Sequence, residues 1–130
     1  MQRTALLAAS ILGGLGVGLG AFGAHALEPT LIANDHVDTY ETGTLYHLVH
    51  AVLLLGIGIL LGQQSGKYLN LAVWTCTIGI LIFSGTLYIL SIFNLNWLGV
   101  VTPLGGLLLI ATWVLLLLHV FSLPKERKST

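Results

Sequence analysis

The residues best suited to chemistry are histidines, tyrosines and serines set within apolar stretches of the sequence. Residues 46–50 read Tyr-His-Leu-Val-His, and two histidines three residues apart share one face of a helix. A later apolar stretch carries a serine and a tyrosine at the same kind of spacing, and another histidine ends the first apolar stretch. Together they form a candidate polar cluster: His25, Tyr46, His47, His50, Ser84 and Tyr88.

Three interpretations of this cluster remain open. It is a structural hydrogen-bond network, a site for a small ligand or lipid, or a metal or haem site. Neutral imidazoles bind zinc, copper or haem iron, and the metal alternative would use His50 with His25 or His47. Because the His-x-x-His spacing lacks the further ligands of a specific metal motif, we expect no cofactor, with haem, zinc or copper as the alternative.

The sequence contains no recognisable catalytic arrangement. A phosphate-binding loop, a nucleophile elbow and a Ser-His-Asp arrangement are all missing from it. No Asp, Glu, Lys or Arg lies within the apolar stretches, although pumps and proton relays usually place a charge there. These observations favour a non-enzymatic protein.

The composition shows which kind of protein positions these side chains. Of 130 residues, 55% are hydrophobic and only 8% are charged, against roughly 25% in a typical globular chain. The length suits one domain, residues 1–130, in contact with the lipid bilayer. A net charge of zero offers no basic face for nucleic acid. The single cysteine excludes an internal disulfide.

The uncharged stretches predict an all-α membrane bundle of four helices with short loops. About 20 apolar residues cross the hydrocarbon core of a bilayer, and only helices or closed barrels satisfy their backbone there. The absence of period-two alternation excludes the barrel. The helices are predicted near 4–27, 42–62, 69–93 and 102–122.

The ends of these helices are also predicted. The segment 94–99 is rich in Asn and Gly and is expected to form a turn, and Thr102 should cap the helix that Pro103 enters. The first stretch is longer than a signal-peptide core, which favours a retained helix over cleavage after residue 26.

Counting along these helices places the polar cluster in the outer half of the membrane. His47 and His50 fall about 8 and 12 Å below the outer border, at a rise of 1.5 Å per residue. Tyr88 and Ser84 fall about 8 and 14 Å deep, so they match the two histidines. His25 is expected at the rim, and its depth differs from that of His50 by about 9 Å, which argues against this pair as haem ligands.

All basic residues fall on one side of the predicted bundle. They precede the first helix, separate the second from the third, and follow the fourth: Arg3, Lys67, Lys125, Arg127 and Lys128. The loop 28–41 on the other side has four acidic residues and no Lys or Arg. Because basic flanks stay in the cytoplasm, both termini are predicted to be cytoplasmic and this loop external.

The first helix is rich in glycine, which lets helices approach closely in membranes. Gly14 and Gly18 lie on one face, and Gly16 and Gly20 lie on another. We expect close packing within the chain, with a homo-oligomer or another membrane protein as the alternative partner.

Four motifs, in order along the chain, resemble the domain of unknown function 423 family, also called uncharacterised protein family 0382. They are residues 20–27 (Gly-Ala-Phe-Gly-Ala-His-Ala-Leu), 42–51 with its Tyr-His-x-x-His, 83–88 (Phe-Ser-Gly-Thr-Leu-Tyr) and 102–106 (Thr-Pro-x-Gly-Gly). The family is related to the transmembrane protein 256 family of eukaryotes. The resemblance implies a four-helix protein of the bacterial cytoplasmic membrane, without an established activity.

Within that pattern His50 is the firmer of the paired histidines. Tyr40 stands where a Trp is expected, which keeps an aromatic residue at the membrane border.

Overall fold

The computed structural model describes residues 1–124 and is built of α-helices. Four of them are long and apolar enough to cross a membrane, and a short helix and a 3-10 turn connect two pairs. The helices are α1 (Gln2–Ala24), α2 (Glu28–Ala33), α3 (Val37–Gln63), α4 (Lys67–Phe93) and α5 (Thr102–Ser122), and the 3-10 turn is Asn96–Val100. The prediction of an all-α four-helix membrane bundle is confirmed.

The long helices pack in the order α1, α3, α4, α5, each against the next. Their shared core holds small residues of α1, such as Ala5 and Ala9, against aliphatic residues of the neighbouring helices. Large apolar side chains outside this core are exposed along every long helix, as expected for a surface in contact with lipid rather than water. α3 and α4 are the two central helices, whereas α1 and α5 each have one principal neighbour.

Glycine permits the close approach of α4 and α5. A Cβ at Gly79 would lie 2.6 Å from Cδ2 of Leu109, and a Cβ at Gly105 would overlap the backbone of Phe83. Small residues are used in this way at helix contacts in membranes, where dispersion forces replace the hydrophobic effect. These contacts hold α4 and α5 side by side.

The structure corrects two of the predicted helix ends on the acidic side. α1 ends at Ala24 rather than at residue 27, and α3 begins at Val37 rather than at residue 42. The segment between them forms α2, with Pro29 in its first turn and Leu31 buried, instead of a plain loop. Residues 37–41 join α3 because Asp38 suits the positive N-terminal end of a helix. Of the other ends, α3 ends one residue later than predicted and α4 begins two residues earlier. α5 spans the predicted residues.

The turn between α4 and α5 is formed as predicted, but its cap is different. Asn94 ends α4 in the left-handed conformation, with φ 54°. Thr102 is not the N-cap of α5, since Val101 takes that position. The Thr102 hydroxyl instead donates to the Leu98 carbonyl at 3.1 Å and lies 2.9 Å from the Thr86 hydroxyl. It therefore fastens α5 to α4 rather than capping its own helix.

The short helix α2 is fastened to the end of α4. The Asn34 side chain donates to the carbonyls of Ser91 and Ile92 at 2.9 and 3.0 Å. Nε2 of His36 lies 3.1 and 3.0 Å from the amide oxygens of Asn94 and Asn96. The connection between α1 and α3 is thus fixed across the end of the bundle.

Candidate functional site

The candidate polar residues fall into two groups, centred on His47 and on His50 of α3. The two histidines are three residues apart, so they lie about 60° apart around the helix and one turn apart along it, and they meet different neighbouring helices. His47 faces α1 and α4, and His50 faces α5.

The first group is centred on a buried pair, His47 and Tyr88. Nδ1 of His47 lies 3.1 Å from the Tyr88 hydroxyl, which joins α3 to α4. Gly16 of α1 makes room for the imidazole, because a Cβ there would lie 3.3 Å from the ring. Tyr40 packs on Tyr88 with ring centroids 4.9 Å apart and donates its hydroxyl to the Leu19 carbonyl at 2.6 Å. These side chains link α1, α3 and α4 in one buried contact.

Several polar atoms of this region have no hydrogen-bond partner. Nε2 of His47 and the hydroxyls of Ser84 and Ser91 are buried without a partner within residues 1–124. If Tyr88 donates to Nδ1 of His47, the imidazole proton is on Nε2, directed towards α1. The Ser84 hydroxyl belongs to the predicted cluster by position but makes no hydrogen bond with it.

The second group is centred on His50, and both of its ring nitrogens are engaged. Nδ1 donates to the Tyr46 carbonyl one turn earlier at 2.8 Å. Nε2 accepts the indole N–H of Trp113 from α5 at 3.3 Å. Because a carbonyl can only accept, the proton is on Nδ1 and the imidazole is neutral in this arrangement. The backbone carbonyl of His50 accepts the Cys76 thiol at 3.4 Å, which holds α3 against α4.

Aromatic side chains surround His50 and form the His50 groove, an opening of about 290 Å³ between α3, α4 and α5. The Tyr46 ring stacks on the imidazole with ring centroids 6.0 Å apart, and it packs on the Phe83 ring with centroids 4.9 Å apart. Trp113 meets the imidazole edge-on at 6.4 Å. The residues that line the groove are Tyr46, His50, Phe83, Gly106, Leu109, Ile110 and Trp113. The groove opens on the outer surface of the bundle, since Tyr46, Ile110 and Trp113 are exposed.

This groove lies deeper along its helix than the sequence predicted. α3 has 27 residues from Val37 to Gln63, so His50 is its middle residue, about 20 Å from either end. Trp113 is one residue from the middle of α5. The earlier start of α3 accounts for the difference from the predicted depth of about 12 Å.

His25 stands apart from both groups. It is the C-terminal cap residue of α1 and is exposed. Its backbone N–H bonds to the Phe22 carbonyl, and its side chain takes part in none of the contacts made by His47 or His50. The contacts therefore join His47 to Tyr88 and Tyr46 to His50, without His25.

The residues present do not suit a metal ion well. Within residues 1–124, no three His, Cys, Asp or Glu side chains come together as a possible ligand set. His50 would have to give up the Tyr46 carbonyl or the Trp113 indole to offer a nitrogen.

Two aromatic residues matter more than the sequence suggested. Trp113 is the hydrogen-bond partner of His50 on α5. A Trp among aliphatic residues at mid-helix is itself a signal, because its N–H needs an acceptor. Tyr40 was expected at the membrane border, but it is 1% exposed and lies in the core between α1 and α4.

The fold and the site define a small multi-pass membrane protein with four crossing helices. Residues 19–106 match the model of a family described as "Protein of unknown function (DUF423)". The chain belongs to this family, as its motifs indicated.

Bacterial relatives agree with that assignment. A Bacillus subtilis protein named UPF0382 membrane protein YwdK is 43% identical over 103 residues, which cover 78% of this chain and 83% of the relative. An Escherichia coli K12 protein named UPF0382 inner membrane protein YgdD is 32% identical over 125 residues, which cover 96% and 95% of the two chains. No solved structure matches the chain significantly. The chain is an integral protein of the bacterial cytoplasmic membrane.

Proposed function

We propose that this chain is a non-enzymatic membrane protein that binds a lipid or another small lipophilic molecule in the His50 groove. The observation that carries the proposal is the groove itself, with aromatic rings at its walls and its opening on the lipid-facing surface at mid-helix. Binding pockets are typically concave and mainly apolar with a few placed polar groups. His50 and the indole of Trp113 supply such groups.

The state of the buried side chains supports binding rather than catalysis. A general base needs a free nitrogen lone pair near its substrate, whereas both nitrogens of His50 are engaged. Cys76 is completely buried and donates to a backbone carbonyl, so it is not placed as a nucleophile.

The experiment compares lipophilic molecules that copurify with the protein and two glycine variants. Gly106→Leu should fill the His50 groove, because a Cβ there is 3.5 Å from the Phe83 ring, an ordinary contact, and a longer side chain extends past it. Gly85→Leu is the matched control, since a Cβ at Gly85 meets nothing within 4 Å. Mass spectrometry of solvent extracts should find about one retained molecule per chain in the wild type and Gly85→Leu, and a large loss in Gly106→Leu.

Equal retention in all three proteins, or none in the wild type, would contradict the proposal. The same samples address the metal alternative by absorption spectroscopy and elemental analysis. A haem Soret band, or about one metal ion per chain that is lost in His50→Ala, would replace the lipophilic ligand with a metal or haem centre.

We also propose that the exposed glycine face of α1 packs against a second copy of the chain. A Cβ at Gly14 or Gly18 would meet nothing within 4 Å, whereas Gly16 and Gly20 are taken up by contacts with α3. The first face therefore serves no contact within residues 1–124. Another membrane protein is the alternative partner.

A further inference from the structure

We propose that the ligand of the His50 groove is a neutral lipophilic molecule that carries a flat ring with a carbonyl oxygen, as in the quinone class. This inference rests on the proposed ligand-binding groove and names the chemical class of its occupant. Three features of the groove support it: its depth, its walls and its hydrogen-bond donor.

The depth of the groove favours an uncharged polar group. His50 is the middle residue of α3, and α3 spans about 40 Å against a hydrocarbon core of about 30 Å. A charged headgroup is costly at this depth. A phospholipid would therefore present only its acyl chain to the groove. An acyl chain would leave the polar groups of the groove without a partner in the ligand. A neutral ring with carbonyl oxygens can enter the hydrocarbon together with its apolar tail.

The walls of the groove favour a ring over a chain. Tyr46, Phe83 and Trp113 offer three aromatic surfaces, with Tyr46 and Phe83 packed at 4.9 Å as one wall. Aromatic pairs contribute free energy beyond that of the area they bury, in offset-stacked or edge-to-face arrangements. A cavity of about 150 Å³ holds benzene, so about 290 Å³ has room for a substituted ring. Gly106 leaves one side of this space open.

The donor for the carbonyl oxygen is the indole N–H of Trp113. Its present bond to Nε2 of His50 is 3.3 Å, longer than the usual range for an N–H donor, so the same N–H can be shared with a ligand oxygen. Trp113 is half exposed at the mouth of the groove, and its N–H lies on the groove's polar side beside His50. His50 keeps its bond to the Tyr46 carbonyl, and its Nε2 stays beside the indole N–H that it shares with the ligand oxygen.

The test uses two probes that differ only in the carbonyl oxygens. One is a fully ring-methylated para-benzoquinone with a decyl tail, and the other is the corresponding benzene with methyl groups in place of the oxygens. Binding to purified protein in detergent is measured by intact mass spectrometry. One added hydrogen bond should make the quinone bind about five- to tenfold more tightly than the hydrocarbon.

Three variants locate the effect. Gly106→Leu should lose both probes, and Gly85→Leu should keep both. Trp113→Phe keeps a ring but removes the N–H, so the quinone should fall to the affinity of the hydrocarbon, which itself should change little. If Trp113→Phe does not purify, the comparison of the two probes on the wild type still decides the question.

The outcomes separate this inference from the proposed function. Equal affinities of the two probes for the wild type would refute the carbonyl-bearing ligand and leave the lipophilic groove in place. Binding of neither probe, together with no ligand retained on purification, would overturn both. Quinone binding that persists unchanged in Gly106→Leu would place the site elsewhere and also refute the inference.

Discussion

Neighbouring histidines in this protein have different surroundings because of their position around one helix. His50 uses both ring nitrogens, towards the Tyr46 carbonyl and the Trp113 indole. His47 uses one nitrogen towards Tyr88, and the other faces α1 without a hydrogen bond. His50 borders an open groove, whereas His47 is buried beside Gly16 of α1 and Tyr88 of α4. We infer that His47 holds the helices together and that His50 contacts ligand.

The structural role of His47 predicts a measurable coupling with Tyr88. Tyr88→Phe removes the hydroxyl that bonds Nδ1 of His47 and should destabilise the protein by about 0.6–2 kcal/mol, the range for hydrogen bonds between membrane helices. His47→Leu in the Tyr88→Phe background should cost less than in the wild type, because the bond is already lost. Unfolding in mixed micelles by increasing denaturing detergent measures the four stabilities.

Tyr68→Phe, at the start of α4 and away from this pair, serves as the control and should change stability little. Additive effects of His47→Leu and Tyr88→Phe would show that the two side chains do not stabilise each other. Neither substitution touches a residue of the His50 groove, so ligand retention should persist in both variants.

At the scale of the helix, α1 differs from the other three long helices in the small residues on its surface. One face, which includes Ala5, Ala9 and Gly16, is buried against the rest of the bundle. The opposite face has Gly14 and Gly18, which are exposed and meet no side chain. Glycine inside a helix costs about 0.5–1 kcal/mol relative to alanine, so an exposed pair lowers stability unless another backbone approaches it. This cost is the physical basis for the proposed contact with a second copy.

That contact predicts self-association through α1. Gly14→Leu with Gly18→Leu should reduce energy transfer between donor- and acceptor-labelled copies in liposomes at fixed protein-to-lipid ratio, because the side chains keep the two backbones apart. Both positions are open within the chain, so the fold should be retained. Gly85→Leu, equally open but on α4, is the control and should leave the transfer unchanged. Energy transfer that is the same in all three proteins would exclude α1 as the dimer face.

The sequence predicts helices well and their mutual rotation poorly. Long apolar stretches must be helical in lipid, and this reasoning gave α5 its observed ends. It missed the first turn of α3, because residues 37–41 mix polar and apolar types and lie near the border. Depth counting set His47 level with Tyr88, and these two are hydrogen-bonded. It could not show that His50 turns towards Trp113, since depth says nothing about which helix a face meets.

The whole molecule is polarised along its axis. Arg3 and Lys67 lie at the end where α1 begins and α3 and α4 meet, which is also where Gly62 approaches Gln2. The remaining basic residues of the tail lie outside the described residues. The opposite end contains four carboxylates, on Glu28, Asp35, Asp38 and Glu41, and no Lys or Arg. This asymmetry is the basis on which the orientation in the membrane is predicted.

Single cysteines at the two ends test that orientation in intact spheroplasts. Cys76 is fully buried within α4, so the wild type should not react with a membrane-impermeant maleimide and serves as the background. Thr30→Cys in α2 should be labelled from outside, because the acidic end is predicted to face the periplasm. Ser65→Cys, in the turn before Lys67, should be labelled only after the membrane is permeabilised, because basic flanks remain in the cytoplasm. Both positions are exposed, so a failure to react reports the side of the membrane rather than burial. Labelling of Ser65→Cys but not Thr30→Cys in intact spheroplasts would invert the orientation, and labelling of both would indicate two populations of opposite topology.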